Sequence, residues 1–215
     1  MPHPVWPLFD LRVTTPRLEL RFVDDQLALE LAELAAKGVH DPAFMPFLMP
    51  WTDVESPQQQ RNTMQFYWRC RAEWSPAAWH LTLAVIVDGE VVGTTGATAH
   101  DFASLGVFET GSWLGLEHQG RRIGTEMRLA TLQLMFAGFD GRVATTGAFD
   151  DNGPSLGVTT KLGYAPNGGT DRLRRGELAR TLHFEMPRAH WEANLRRDDI
   201  ELHGVEACRP LFGLT

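Results

Sequence analysis

The sequence predicts a mixed α/β (α+β) fold with about seven strands and four helices, the strands mostly antiparallel. Three observations carry this expectation. Apolar residues switch several times between the alternation of strands and the three-to-four spacing of helices. Two short turns, Asp88-Gly89 and Arg175-Gly176, each separate a pair of strand-like runs, as hairpins do. A glycine-containing loop, Gln119 to Thr125, leads from a strand straight into a helix.

Taken in order, Pro16 to Phe22 alternates as a half-buried strand. Asp24 or Asp25 caps a helix whose Leu27, Leu31 and Leu34 share a face and which ends near Lys37-Gly38. From His40 to Trp51 the chain is apolar, yet prolines at 42, 46 and 50 rule out regular structure. Its aromatics and methionines either pack inward or wall an acceptor site; the usual habit of large apolar side chains favours packing inward. Ser56-Pro57 reads as a capping residue ahead of a first-turn proline, for a helix reaching Glu73-Trp74. Leu81 to Val87 and Glu90 to His100 form the first hairpin, and Gly93 and Gly96 anticipate close approach by a backbone or a ligand. Val107 to Gly115 is a strand, Ile123 to Gly138 a helix, Arg142 to Phe149 a strand, and Ser155 to Leu162 a short helix ended by Gly163. Leu178 to Met186 returns from the last hairpin with Leu182 and Phe184 facing inward. No linker interrupts the chain, so one domain over 1–215 is expected.

With 215 residues the chain is long enough for a substantial core. Its formal net charge of -7 argues against direct contact with nucleic acid and suits a positively charged or amine-bearing substrate. Cys70 and Cys208 make no metal or redox motif and no His-Glu-x-x-His spacing occurs, so no metal is expected. No apolar run approaches a membrane span, and Met1 to Arg12 holds no signal-like stretch. A soluble cytoplasmic protein without a membrane partner is the expectation.

The chemistry concentrates between Ser112 and Glu126. Amides at a helix start lack intrahelical partners, and the helix dipole adds positive character there. Gly120 and Gly124 let the backbone close around an anion, and Arg121 and Arg122 add charge, so a phosphate or pyrophosphate is the expected guest. The Gly-Lys-Ser/Thr ending of nucleotide triphosphatases is missing. The run from Gln119 to Thr125 instead resembles the acyl-CoA pyrophosphate loop of the GNAT acyltransferase superfamily, in which Gln or Arg opens a six-residue stretch with two glycines. Arg122 stands where the first of those glycines is usual, and an ordinary right-handed backbone angle is expected there.

Further stretches extend the resemblance. Thr15-Pro16-Arg17-Leu18 followed by Leu20-Arg21 resembles the opening strand of the branch containing ribosomal-protein N-terminal acetyltransferases. The element order is the GNAT order over roughly 15–188, leaving 189–215 as a C-terminal extension. Residues 6–12, 38–42, 45–47, 50–52, 111–116, 124–128 and 208–213 look like an actinobacterial subgroup, some members of which are similar to proteins described as succinyltransferases. The resemblance implies a GNAT fold splayed between its fourth and fifth strands, here Val107 to Gly115 and Arg142 to Phe149. It implies acetyl-CoA or succinyl-CoA as donor. The acceptor would be a primary amine of a protein N-terminus, a lysine or a small molecule, attacking directly in a ternary complex.

The resemblance also implies roles. Trp113, Leu114 and Gly115 would offer backbone groups to the pantetheine arm, with the amide around Leu114 aimed at the thioester carbonyl. Gln119, Gly120, Arg121, Arg122, Ile123, Gly124 and Thr125 would bind the pyrophosphate. An attacking amine must be neutral, and Glu109, matching the glutamate of the family's Glu-Ile-Gly-Tyr-Trp-Leu strand, is the expected base. Asn152 and Ser155 match an Asn-x-x-Ser that faces the cofactor arm. Ser155 is the candidate acid for the sulfur, because the family's usual tyrosine would fall near Thr159; a helix cap is its other reading. Glu126 reads as a first-turn carboxylate favoured by the dipole, and His100 as a structural histidine or an acceptor-side one.

Two rival readings remain. Gly153-Pro154-Ser155-Leu156-Gly157 is a literal Gly-x-Ser-x-Gly, with Asp171, His183, Asp198 and His203 downstream as in serine hydrolases. The intervening Asp150-Asp151-Asn152 and the proline before the serine argue against a nucleophile elbow. The second rival is a non-catalytic acyl-CoA-binding or sensing protein of the same fold. The tail, with Val205, Leu211 and Phe212, packs on its own domain or on a second copy in a homo-oligomer; the sequence leaves both open.

Overall fold

The computed structural model describes residues 2–215. Nine strands form one sheet: β1 (Arg12–Thr14), β2 (Glu19–Phe22), β3 (Ala78–Val87), β4 (Glu90–His100), β5 (Val107–Leu114), β6 (Val143–Phe149), β7 (Ala165–Arg174), β8 (Glu177–Pro187) and β9 (Glu201–His203). The helices are α1 (Asp25–Lys37), α2 (Gln58–Ala72), α3 (Phe102–Leu105), α4 (Ile123–Gln133, continued by a π turn to Gly138), α5 (Gly153–Lys161), α6 (Arg188–Asn194) and α7 (Val205–Cys208). The sheet order is β7-β8-β6-β5-β4-β3-β2-β1-β9. All neighbours are antiparallel except β5 and β6. This is the mixed GNAT fold expected, with nine strands in place of about seven and seven helices in place of four. The additions are β1, β9 and the short α3, α6 and α7, all too brief to show a period.

Local chemistry explains most boundaries. Asp24 caps α1 by accepting from the Leu27 amide at 2.8 Å. Asp88 and Gly89 both take positive φ, as a tight hairpin turn between β3 and β4 demands. A Cβ on Gly93 would run into the Trp113 carbonyl oxygen of β5, and one on Gly96 into the Leu81 carbonyl oxygen of β3. Both glycines therefore mark backbone approach, as read from the sequence. The cap expected at Ser56 is absent: α2 begins at Gln58 after a cis Ser56–Pro57 bond, with Pro57 in the cap position and no side-chain cap. α5 likewise starts two residues early, at Gly153, because Asn152 supplies its cap.

Two apolar clusters flank the sheet. The larger joins the sheet to α4 and the tail, through Phe108, Leu132, Phe136, Trp191 and Phe212. The smaller lies under α1 and α2 and includes Leu27, Leu31 and Tyr67. The tail packs on its own chain: β9 pairs with β1, and Cys208 and Phe212 are fully buried. A second copy is not needed to cover it. Leu182 and Phe184 of β8, expected inside, are only half-buried, though Phe184 does pack on the larger cluster.

Candidate active site

The loop after β5 is fixed from behind. Gln119 donates through Nε2 to the Val39 carbonyl at 2.7 Å and the Leu114 carbonyl at 3.0 Å, tying the end of β5 to the segment after α1. Its side chain is thus committed to the protein and not to a phosphate. Gly120 takes φ 74° and Arg122 φ 65°, both left-handed. The right-handed angle expected at Arg122 is wrong: the loop keeps the turn that glycine usually makes and imposes it on an arginine. Glu126 is buried in the first turn of α4, where it accepts from Thr15 Oγ1 and Arg17 Nε, each at 2.6 Å. That locks the helix start against the chain ahead of β2. Among the described residues the amides of Gly120, Arg121, Arg122, Ile123, Gly124 and Thr125 find no hydrogen-bond partner, and the first bonded one is Glu126 N to Arg122 O. Six consecutive free amides at a helix N-terminus, with Arg121 and Arg122 exposed beside them, make an anion cradle.

Next to the cradle the sheet opens. β5 and β6 pair in parallel only at Val107↔Val143, Phe108↔Ala144 and Glu109↔Thr145, then part. Gly115 N donates to Val92 O at 3.0 Å. By the alternation of an antiparallel ladder, the amides of Leu114 and Ser112 then face away from β4, into the opening. An extended ligand arm could pair with that edge as an added strand would.

Side chains of β5 sort by parity. Thr110 and Ser112 face α4, where Arg128 meets them. Glu109, Gly111 and Trp113 face the α1–α2 side. Glu109 is exposed and lies in a row that runs across the sheet, His80–Thr98–Glu109–Thr145–Glu185. Burial, in part against the Phe66 ring, lowers the pKa of His80. Sequence reading missed His80; the signal available was its place in an alternating strand on the face of Glu109. A Cβ on Gly111 would meet nothing, so space stands open between Glu109 and Trp113. His100, at the end of β4, is exposed and has no partner among the described residues. Burial raises the thiol of Cys70 to about 11 and that of Cys208 to about 12, so neither is a nucleophile.

The far wall comes from the segment expected to pack inward. Between 40 and 51 only Met45 of the large apolar residues is buried. His40, Phe47, Trp51 and Trp113 instead form a chain of ring contacts at 5.5, 5.2 and 5.7 Å along the open face. Arg175, at the tip of the β7–β8 hairpin, clasps this segment through both Asp53 oxygens and the Pro42 carbonyl. Those hydrogen bonds hold the Asp53 carboxyl below the usual range. Arg174 grips Asp151 with two bonds of 2.7 Å and lies 4.5 Å over the Phe149 ring.

Asn152 caps α5 by accepting from Ser155 N at 3.3 Å, so Ser155 is capped and is not itself the cap. Ser155 sits in the first turn of α5, half-buried. The histidines of the hydrolase reading are engaged elsewhere, His183 with Thr170 and His203 with Thr14. Asp171 pairs with Arg180. Among the described residues no group of His, Cys, Asp and Glu could hold a metal ion, and no helix is long and apolar enough to cross a membrane.

A parallel pair that splays beside an amide-lined helix start defines the class of coenzyme A-dependent acyltransferases. The profile of the acetyltransferase (GNAT) domain matches residues 17–165, and the chain belongs to that family, whose acyl donor is acetyl-CoA. Among similar solved structures is a GCN5-related N-acetyltransferase from Brucella melitensis, with 21% identity over 85% of this chain and 80% of that one and a TM-score of 0.68. A ribosomal-protein-S5-alanine acetyltransferase from Vibrio fischeri aligns over 87% and 100% at 14% identity, TM-score 0.65. RimL, a ribosomal α-N-protein acetyltransferase solved in complex with coenzyme A, aligns over 80% and 95% at 17% identity, TM-score 0.64. At such identities the likeness is one of fold.

Proposed function

We propose that this protein is an N-acyltransferase that moves an acetyl or succinyl group from its CoA thioester to a primary amine, within one domain over 1–215. The observation that carries the reading is the run of six unpartnered amides, Gly120 to Thr125, beside the point where β5 leaves β6. In this reading the loop amides with Arg121 and Arg122 hold the pyrophosphate. The Leu114 amide holds the arm and aims its carbonyl, and Asn152 and Ser155 line it. The backbone groups expected of Trp113 and Gly115 are instead turned to β4 or already bonded: Gly115 N donates to Val92 O, and its carbonyl accepts from His118 N. Gln119 braces the loop. The thioester supplies an activated acyl carbon. Glu109, exposed on the acceptor face, takes the ammonium proton directly or through water; the nitrogen–carbon bond forms, the carbon–sulfur bond breaks, and Ser155 is placed to return a proton to sulfur. The acceptor is a protein N-terminus, a lysine or a small amine. The names of the similar structures support a protein N-terminus, and a cytoplasmic setting goes with it.

Mass spectrometry of the purified protein for a retained CoA species tests the donor. Replacing Glu109 with Gln tests the base: kcat with a responsive amine should fall about 10²–10⁴-fold while CoA affinity holds. Unchanged turnover would remove Glu109 from the mechanism. If CoA binds and no amine in a broad panel is ever acylated, the protein is a sensor of acyl-CoA and not a transferase.

A further inference from the structure

A cavity of about 420 Å³ opens beside the cradle, between the β3–β4 turn, the chain ahead of β2 and the loop into α4. In the sheet order β3 and β4 lie on the side of β5 away from β6, so the cavity is on the flank opposite the splay. The scheme above makes no use of it. Its volume falls in the range of small-molecule sites, and Leu18, Val92 and Ile123 give it a buried apolar floor.

Polar groups of both signs stand around that floor. Arg17 and Arg121 bring positive charge, Asp88 and Glu90 negative charge. Arg17 is already matched, with Nε and Nη2 on the Glu126 carboxylate. Among the described residues Arg121 and Asp88 have no ion-pair partner, and Glu90 has only His118 within ion-pair distance. His118, also in the cavity wall, is 5% exposed, and its Nε2 is buried with no hydrogen-bond partner. The carboxylates nearest to that nitrogen, Glu117 at 3.6 Å and Glu90 at 3.9 Å, are too far to bond it. Their side chains are 60% and 67% exposed, and so free to swing aside. A buried nitrogen without a partner is costly. This one lies at the edge of a cavity, beneath a movable carboxylate, where a ligand N–H completes it.

The mixture of groups selects among ligands. A diamine would leave Arg121 unmatched, and a phosphate would meet Asp88 and Glu90. A molecule with one carboxylate, one ammonium and an apolar body suits them all.

We propose that the cavity is a second binding site, for an apolar α-amino acid. The carboxylate of the ligand pairs with Arg121, its ammonium donates to Glu90 and to His118 Nε2, and its side chain lies on the apolar floor. The site is joined to the cradle twice. Arg121 belongs to both, and Arg17 ties the cavity wall to Glu126 in the first turn of α4 and, through Nη1, to the Arg121 carbonyl at 3.5 Å. A carboxylate in the cavity draws Arg121 from the pyrophosphate, so the amino acid and CoA oppose each other. Only this antagonism rests on the acyl-CoA reading; the site itself goes beyond it.

Calorimetry with L-leucine and L-phenylalanine tests the site without any acyl donor. The native protein should bind at least one of them. The N-acetyl and amide derivatives of the tighter one, each lacking one charge, should bind about tenfold or more weaker. Glu90→Gln should weaken the amino acid likewise and leave CoA affinity unchanged. Glu109→Gln should leave the amino acid unaffected, which separates this site from the acceptor face. Saturation with the amino acid should weaken CoA binding about fivefold or more and then level off. The proposal is overturned if neither amino acid binds, if either derivative binds as tightly, or if Glu109→Gln and not Glu90→Gln abolishes binding. A fall in CoA affinity that never levels off marks competition for one site and overturns it too. Should the amino acid bind and CoA affinity stay unchanged, the link through Arg121 is overturned. Should CoA not bind at all, the acyl-CoA reading falls, and the amino-acid titrations still decide the site.

Discussion

Arg122 holds a left-handed backbone angle that costs an L-residue roughly 1–2 kcal/mol. Arg122→Gly should therefore raise stability by up to about 1 kcal/mol in denaturant titration, part of the relief being offset by the freer unfolded chain. The same variant should weaken CoA binding, because a cation leaves the cradle. Gly124 is a different case. A Cβ there would meet only Val158 Cγ2 at 3.8 Å and Met127 Cε at 3.9 Å, ordinary contacts, so the protein itself does not require this glycine. Gly124→Leu should fold with a near-native melting curve yet lose CoA affinity about tenfold or more, equivalent to about 1.4 kcal/mol. Undiminished affinity in calorimetry would put the pyrophosphate elsewhere. The cradle was readable from Gly120, Gly124 and the arginines in line. Arg128 was not singled out, although a charge three residues before the fully buried Thr131 and four before Leu132 breaks the apolar side of α4.

Between elements, the clasp of Arg175 on Asp53 joins the last hairpin to the aromatic segment across the open face. Because hydrogen bonds to Arg175 depress the Asp53 pKa in the folded protein, their stabilisation is present in full above the unfolded value of about 3.9 and lost as pH falls through the lower folded one. The clasp should thus hold at neutral pH and release only in acid below about pH 4. Arg175→Ala should raise KM for the acceptor with little effect on CoA affinity, as read by two-substrate kinetics; an unchanged KM would separate this wall from acceptor binding. Linear reading finds hairpins and capped helices because their signals lie within a few residues, as at Asp24 and Asp88-Gly89. It does not pair Asp53 with Arg175, or Arg17 with Glu126, since more than a hundred residues separate the partners and nothing local favours the match. The 40–51 segment was misjudged for a related reason: apolar content says that side chains avoid water, not whether core or a neighbouring ring provides the cover.

Across the protein, the residues beyond the family match complete the sheet and the core. β9 extends the sheet past β1, and Phe212 stacks on Phe139 at 4.0 Å while its ring meets Trp74 and Trp79 edge-on. Phe212→Ala should destabilise the whole fold by about 3–5 kcal/mol in denaturant unfolding. A loss under about 1 kcal/mol would mean that the tail is dispensable. A loss in the expected range would place Leu8 and Phe212, both fully buried, in one cooperative unit.

The contact between Trp51 and Trp113, with centroids 5.7 Å apart, has an optical consequence. Two indoles that close exchange excitation, and one stands on β5 while the other rides the clasped segment. The near-ultraviolet circular dichroism of the pair, isolated by subtracting a Trp51→Phe spectrum, would report the approach of either substrate without any label.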